Sequence, residues 1–259
     1  NVRLDHTDKM GENLKEIAQT LALSIPTNGN LITADKEFHR FFKEKAKNHN
    51  TITHLAELDE TENKFLHNFN FPVYEENIAC ALKVTRLLDI NDDIAIKGMQ
   101  KTKTDPGALR FFKYRNTDNN IYLINAFAAN DYESTLKTWN KWKKWYEYQK
   151  YQHIPIIGVF NNRSDRSFRI KQLLNLRKDI DFKKLIIMDN RLFNLNKHFL
   201  NYNDLNIDIK KKNTSPLQLL EELADSYNSD ILLFGFGNTK NQGMDMINFF
   251  SENGVEVKC

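Results

Sequence analysis

The chain has 259 residues, and its 37 lysines and arginines stand against 34 aspartates and glutamates, a formal net charge of +3 at neutral pH. That near-balance excludes a nucleic-acid binder that works mainly through counterion release, and no apolar run approaches the roughly 20 residues of a membrane-spanning helix. Hydrophobic residues, 41% of the chain, suffice for one large core or two smaller ones.

The elements are read in chain order. Asn1 to Gly11 (NVRLDHTDKMG) gathers Asp5, His6 and Asp8 around one turn after a strand end. Such a cluster either holds Mg²⁺ and nucleotide oxygens or caps the helix that follows. A strand is expected at Leu31 to Asp35. From His39 to Asn70 the chain reads as a solvated helix and loop, because His39, His49, His54 and His67 lack a metal-ligand spacing. A helix from Glu76 to Leu88 carries the stripe Ile78, Ala81, Leu82 and Leu88. The charged, turn-forming stretch Lys101 to Gly107 (KTKTDPG) is the domain boundary, dividing the chain into 1–104 and 105–259.

Beyond it, Ile121 to Phe127, Pro155 to Asn161, Lys184 to Asp189 and Asp230 to Phe236 are continuous apolar runs. Runs of this kind belong to parallel strands covered on both faces, so the fold class is α/β with a mostly parallel sheet. Ser215 followed by Pro216 starts a helix whose core stripe is Leu217, Leu220, Leu223 and Ala224. Between the strands, Leu136, Trp139, Trp142 and Tyr146 repeat at helical spacing among five lysines. This helix either packs on the sheet with its lysine stems reaching water or leaves rings exposed for docking to a membrane partner. Gly235 to Lys240 (GFGNTK) invites a dinucleotide reading, but Lys240 stands where a third glycine is required, so a tight turn after the last sheet strand is expected. Arg163 and Arg166 follow an apolar strand, where two guanidinium groups can hold carboxylates or form a salt-bridged helix start.

The string NVRLDHTDKMGENLKEIAQTLALSIP resembles the central-domain motif of the Mur ligase superfamily, most closely the ligase subunits of poly-γ-glutamate synthases (the CapB or PgsB type). Glu76-Asn77-Ile78-Ala79, Pro106-Gly107-Ala108-Leu109-Arg110, Asn125 to Asp131 (NAFAAND) and Asn161 to Arg166 (NNRSDR) follow in the family's order. The resemblance implies a remainder of a central nucleotide-binding domain followed by a Rossmann-like C-terminal domain. It implies that His6 is a Mg²⁺ ligand, that Asn1 ends the strand approaching the nucleotide, and that Asn77 touches the adenine. It further implies that Arg110, at a hinge, reaches ATP phosphates, that Asn125 and Asn130 line the interdomain cleft, and that Arg163 and Arg166 anchor glutamate.

The activity implied is an ATP-dependent amide ligase that adds glutamate to a growing poly-γ-glutamate through an acyl phosphate, with small membrane subunits as partners at the inner face of the cell membrane. Its alternatives are a non-catalytic assembly module, or a peptidoglycan- or folylpolyglutamate-type ligase, against which NAFAAND argues. Three departures accompany the resemblance. The G-x-x-x-x-G-K-[ST] phosphate loop is missing, so the chain is read as a fragment whose N-terminal P-loop segment lies upstream and which does not hydrolyse ATP alone. Gln19-Thr20-Leu21 brings no lysine for a second metal, and Ala129 replaces the peptidoglycan-type histidine. Cys80 and Cys259 show no zinc-site spacing, and a reduced, intracellular chain is expected.

Overall fold

A computed structural model describes residues 2–4, 7–102, 104–117, 119–162, 175–188, 206–210 and 214–258. The chain divides into two compact units, Asn1–Lys103 and Thr104–Cys259.

The first unit runs α1 (Thr7–Met10), α2 (Leu14–Ala22), β1 (Asn30–Thr33), α3 (His39–Lys47), β2 (Ile52–Leu55), α4 (Glu60–Phe65), α5 (Glu75–Leu87) and α6 (Asp92–Gln100). The stretch expected to be a solvated helix and loop therefore contains a strand. Ile52 to Leu55 pairs in parallel with Asn30 to Thr33. Only four residues long, it shows no apolar run, and its pairing is decided by a partner some twenty residues away. Phe42 and Ala46 on α3 pack with Ile17, Ala18 and Ala22 of α2 into a small core. On α5 the buried side is Ile78, Ala79 and Leu82, whereas Leu88, read as part of the stripe, is 64% exposed. Arg86 joins three helices by pairing with Glu62 of α4 and Asp92 of α6.

The second unit is a seven-stranded sheet in the order β7-β6-β5-β8-β4-β3-β9. The strands are β3 (Arg110–Asn116), β4 (Asn119–Ala126), β5 (Ile156–Asn161), β6 (Phe182–Met188), β7 (Ile207–Lys210), β8 (Ile231–Phe236) and β9 (Val255–Glu256). The five strands β7, β6, β5, β8 and β4 are parallel, and β3 and β9 close one edge antiparallel. Each apolar run lies in one of the parallel strands, as strands covered twice require. The turn after Phe236 does not end the sheet, because Val255 and Glu256 return to pair with β3.

Alternation along the strands divides the core. Leu232, Phe234 and Phe236 face α7 (Tyr132–Trp145), whose Trp139 and Trp142 complete that side. Ile231 and Leu233 face α8 (Pro216–Tyr227) and α9 (Gln242–Asn253). The α8 start is as expected: Ser215 accepts from the Gln218 backbone N–H and Gln218 returns the bond to Ser215, with Pro216 in the first turn. Its buried stripe is Leu219, Leu220 and Leu223, however, and Leu217 is exposed.

The aromatic residues of α7 and the turn after it resolve toward packing. Trp139, Trp142 and Tyr146 are buried, and Trp145, Tyr148 and Tyr151 pack against the same core. Phe111 on β3 meets the rings of Trp142, Tyr146 and Tyr151 at 5.1 to 5.3 Å. Of the rings expected to leave an exposed remainder, Trp145, Tyr148 and Tyr151 are half-buried against this cluster. Among the described residues no helix is long and apolar enough to cross a membrane.

Candidate functional site at the carboxyl edge of the second sheet

In an open parallel sheet, ligands bind outside the carboxyl ends of neighbouring strands whose connections depart on opposite faces. Here β4 and β8 are such a pair, since β4 leads to α7 on one face and β8 to α9 on the other. Three of the motif segments meet at this edge.

The ladder puts Arg110 opposite Asn125, Asn125 beside Gly235, and Gly235 beside Val159, a single line across β3, β4, β8 and β5. Asp105, Pro106, Gly107 and Ala108 form a turn in which Asp105 Oδ1 accepts from the Gly107 N–H at 2.7 Å and Ala108 N–H donates to the Asp105 carbonyl at 2.8 Å. Aspartate first and proline second suit such a turn by their own geometry. The Asn125 amide then donates to the carbonyls of Pro106 at 2.7 Å and Ala108 at 3.1 Å.

Asn125 was expected to line a cleft. It is instead wholly buried and its donor is consumed by the backbone, so it fastens the turn that leads into Arg110. Pro106 to Arg110, read as a hinge, is anchored within the second unit by Asn125 and the β3–β4 ladder.

Arg110 lies with its guanidinium 5.0 Å from the Phe112 ring, and Nη2 donates to the Pro106 carbonyl at 3.4 Å. Its Nε is buried and has no hydrogen-bond partner among the described residues. An unmatched buried donor is costly, and a guanidinium with donors to spare fits an anionic oxygen. Asn130 is half-buried and immediately precedes Asp131, which caps α7.

The glycines of GFGNTK serve rings rather than a dinucleotide. A Cβ at Gly235 would fall 2.4 Å from the Phe127 ring, and one at Gly237 2.6 Å from the Phe160 ring. Gly237 also has φ +105, a backbone state that favours glycine. Its N–H donates to the Ala129 carbonyl at 2.8 Å, joining this loop to NAFAAND. A Cβ at Gly107 would lie 2.6 Å from the Thr239 methyl and 3.0 Å from Ala128 Cβ, so all three segments touch around that glycine.

Two residues that the sequence placed within motifs, but to which it gave no role of their own, complete the edge. Asn161 is buried, and its amide donates to the carbonyls of Asn238 at 2.6 Å and Lys240 at 2.8 Å, fixing the loop after β8 to the end of β5. Thr239 is the other, through its contact at Gly107. The available signal for Asn161 was an amide ending an otherwise apolar strand.

Asn1, His6, Arg163 and Arg166 lie outside the described residues. Among those described, no group of three His, Cys, Asp or Glu side chains could hold a metal ion. Asn77 belongs to the first unit, exposed in the first turn of α5, with its N–H donating to the Tyr74 carbonyl at 3.0 Å. That unit also contains a groove of about 840 Å³ between α2 and α3, floored by Leu14, Ala18, Phe38 and Phe41, and Asn77 does not line it.

The fold defines a Mur-ligase-like α/β protein. It is similar to MurF from Acinetobacter baumannii, with a TM-score of 0.60 and 12% identity over 96% of this chain and 59% of that one. It is likewise similar to E. coli FolC in complex with DHPP and ADP, with a TM-score of 0.61 and 15% identity over 97% of this chain and 60% of that one. Identities this low speak for the fold alone.

Residues 111–253 match the poly-gamma-glutamate synthase CapB C-terminal domain, and the chain belongs to that family. It is 37% identical over 175 residues to PGA synthase CapB of Bacillus subtilis (strain 168), covering 68% of this chain and 44% of that protein. To the capsule biosynthesis protein CapB of Bacillus anthracis it is 35% identical over 172 residues, 66% of this chain and 36% of that protein. The chain thus spans less than half the length of both curated relatives.

Proposed function

We propose that the chain is part of an ATP-dependent amide ligase that extends poly-γ-glutamate by one glutamate at a time, through an acyl phosphate on the polymer's terminal carboxylate. The observation that carries this reading is the meeting of PGALR, NAFAAND and GFGNTK at one sheet edge, with Arg110 holding an unmatched donor there. ATP and Mg²⁺ supply the phosphoryl group and the charge neutralisation that acyl activation needs.

The chain's own residues divide the remaining tasks. Arg110 takes an anionic phosphate oxygen, and Asn125 sets its angle by fixing the preceding turn. Asn77 contacts adenine, His6 holds the metal, and Arg163 with Arg166 anchors the carboxylates of the incoming glutamate. Thr239 and Asn130 border the place where amine and acyl group meet. A P-loop segment elsewhere in the full-length protein completes the ATP site, and small membrane subunits hold the enzyme at the inner face of the membrane.

A peptidoglycan-type ligase would need the histidine that Ala129 replaces. A docking module built on the α7 rings is supported less, since Trp139, Trp142 and Tyr146 are buried in the core. The test is ATP turnover by the full-length protein with and without glutamate. Wild type should show glutamate-dependent turnover, and Arg110→Ala should lower it by about two orders of magnitude, as loss of a preorganised charge contact does. Turnover indifferent to glutamate, or unchanged in Arg110→Ala, overturns the reading.

A further inference from the structure

The helices on the two faces of the second sheet carry opposite charge. On one face α7 has Lys137, Lys141, Lys143 and Lys144 against a single Glu133. On the other, α8 has Glu221, Glu222 and Asp225 and α9 has Asp245 and Glu252, and neither contains a lysine or arginine. Among the described residues these helices thus differ in sign across one sheet, with Glu222 alone of the acidic set paired to a lysine, Lys210 of β7.

The positive side is also ordered. Lys137, Lys141 and Lys144 fall on one row of the helix, spanning about 10 Å at 1.5 Å per residue. Lys141 lies 5.8 Å over the Trp145 ring and Lys143 5.8 Å over the Trp139 ring. Lys113 of β3 lies 5.9 Å over Tyr122, whose ring packs into the core on that same face. Ammonium groups seated on aromatic faces have lost part of their freedom before any ligand arrives.

We infer that the α7 face is a docking surface for an extended polycarboxylate, the growing γ-linked chain itself, at a distance from its reacting end. This rests on the ligase reading above. Every γ-linked glutamate keeps an α-carboxylate that is ionised at neutral pH, so the product is a line of negative charges complementary to the lysine row. The acidic residues Glu221, Asp225, Asp245 and Glu252 of α8 and α9 repel the same polymer from their side. A membrane surface fits less well, because a helix that lies in the headgroup layer presents aromatic anchors outward, and here the tryptophans face the core. Holding the chain on α7 raises the effective concentration of its end at the carboxyl edge of the sheet.

The experiment uses full-length protein and fluorescently labelled poly-γ-glutamate of defined length, read by anisotropy. Wild type should bind it, with affinity falling at least about tenfold between 50 and 300 mM salt. The triple variant Lys137→Gln, Lys141→Gln, Lys144→Gln should weaken binding about tenfold, whereas Glu221→Gln with Asp225→Asn should not weaken it. Equal binding by wild type and the lysine variant overturns the inference, as does wild type that binds phosphatidylglycerol vesicles but not the polymer. The ligase reading fails separately, through wild type whose ATP turnover ignores glutamate.

Discussion

The two units solve the problem of burial differently. Among the described residues the first exposes Leu4, Leu23, Ile52, Val84, Leu87, Leu88, Ile90 and Ile94, while the second exposes only Leu217 and Val255 as large apolar side chains. The first is built round a pair of parallel strands and a small helical core. Two strands do not make an independently stable sheet. The second covers a seven-stranded sheet on both faces. Stability should therefore be concentrated in the second unit, and the first should respond weakly to changes on its surface.

The strongest way to break this contrast is Trp142→Ala. The ring is wholly buried among Phe111, Trp139 and Tyr148, and its loss should cost about 3 to 5 kcal/mol. Chemical denaturation should show the second unit's transition shift while the first unit's stays. A loss under about 1 kcal/mol would place the stable core elsewhere.

Next comes Asn125→Ala, which leaves two backbone carbonyls without their donor. It should cost about 1 to 3 kcal/mol and reduce turnover as well, because the turn before Arg110 is released. Asn125→Asp should be no better, since an ionised carboxylate cannot donate.

Ser215→Ala removes the α8 cap and should cost about 1 kcal/mol in the same transition. For the first unit, acidification is the probe. Hydrogen bonds from Arg86 hold the Asp92 carboxyl below its ordinary value. A depressed acid stabilises the fold above its unfolded pKa and loses that contribution as pH falls through the folded value. Below about pH 4 the first unit should weaken by at most about 0.5 kcal/mol, since the pair is solvent-exposed. Asp92→Asn should remove the dependence. Smallest of all, Ile94→Ser on α6, at a site 66% exposed, should change stability by no more than about 0.5 kcal/mol.

The same contrast explains what could be read from the sequence. Ile121 to Phe127, Pro155 to Asn161, Lys184 to Asp189 and Asp230 to Phe236 stood out because strands buried on both faces must be apolar throughout, and they map onto β4, β5, β6 and β8. Strands near the margin escaped. RFFKYRN of β3 mixes charge with rings, IDIK of β7 is short and alternating, and ITHL of β2 is half polar. β2 and β7 are each held by a partner some twenty residues away, so local composition cannot announce them, and in β3, an arm of the hairpin with β4, the interleaved charges mask the buried Phe111 and Phe112. At the candidate site, motif order drew attention to Arg110 and NAFAAND, but Asn125 was assigned to a cleft because burial is a tertiary property. The dinucleotide reading of the GFG glycines was turned aside by Lys240, but the reason for the glycines stayed hidden, because the need of Phe127 and Phe160 for space is invisible until the rings are placed.

The hairpin that seats Arg110 opposite Asn125 has a mechanical corollary. This arginine is a passenger of the sheet, riding on the strand next to its antiparallel edge rather than on the connector that precedes it. A spin label or fluorophore just ahead, at Thr104, would sense the connector's bending, whereas one on Lys113 would report only the tumbling of the second unit. On the ligase reading proposed above, a guanidinium delivered to a phosphate would bring its whole sheet along, some 150 residues moving as one body.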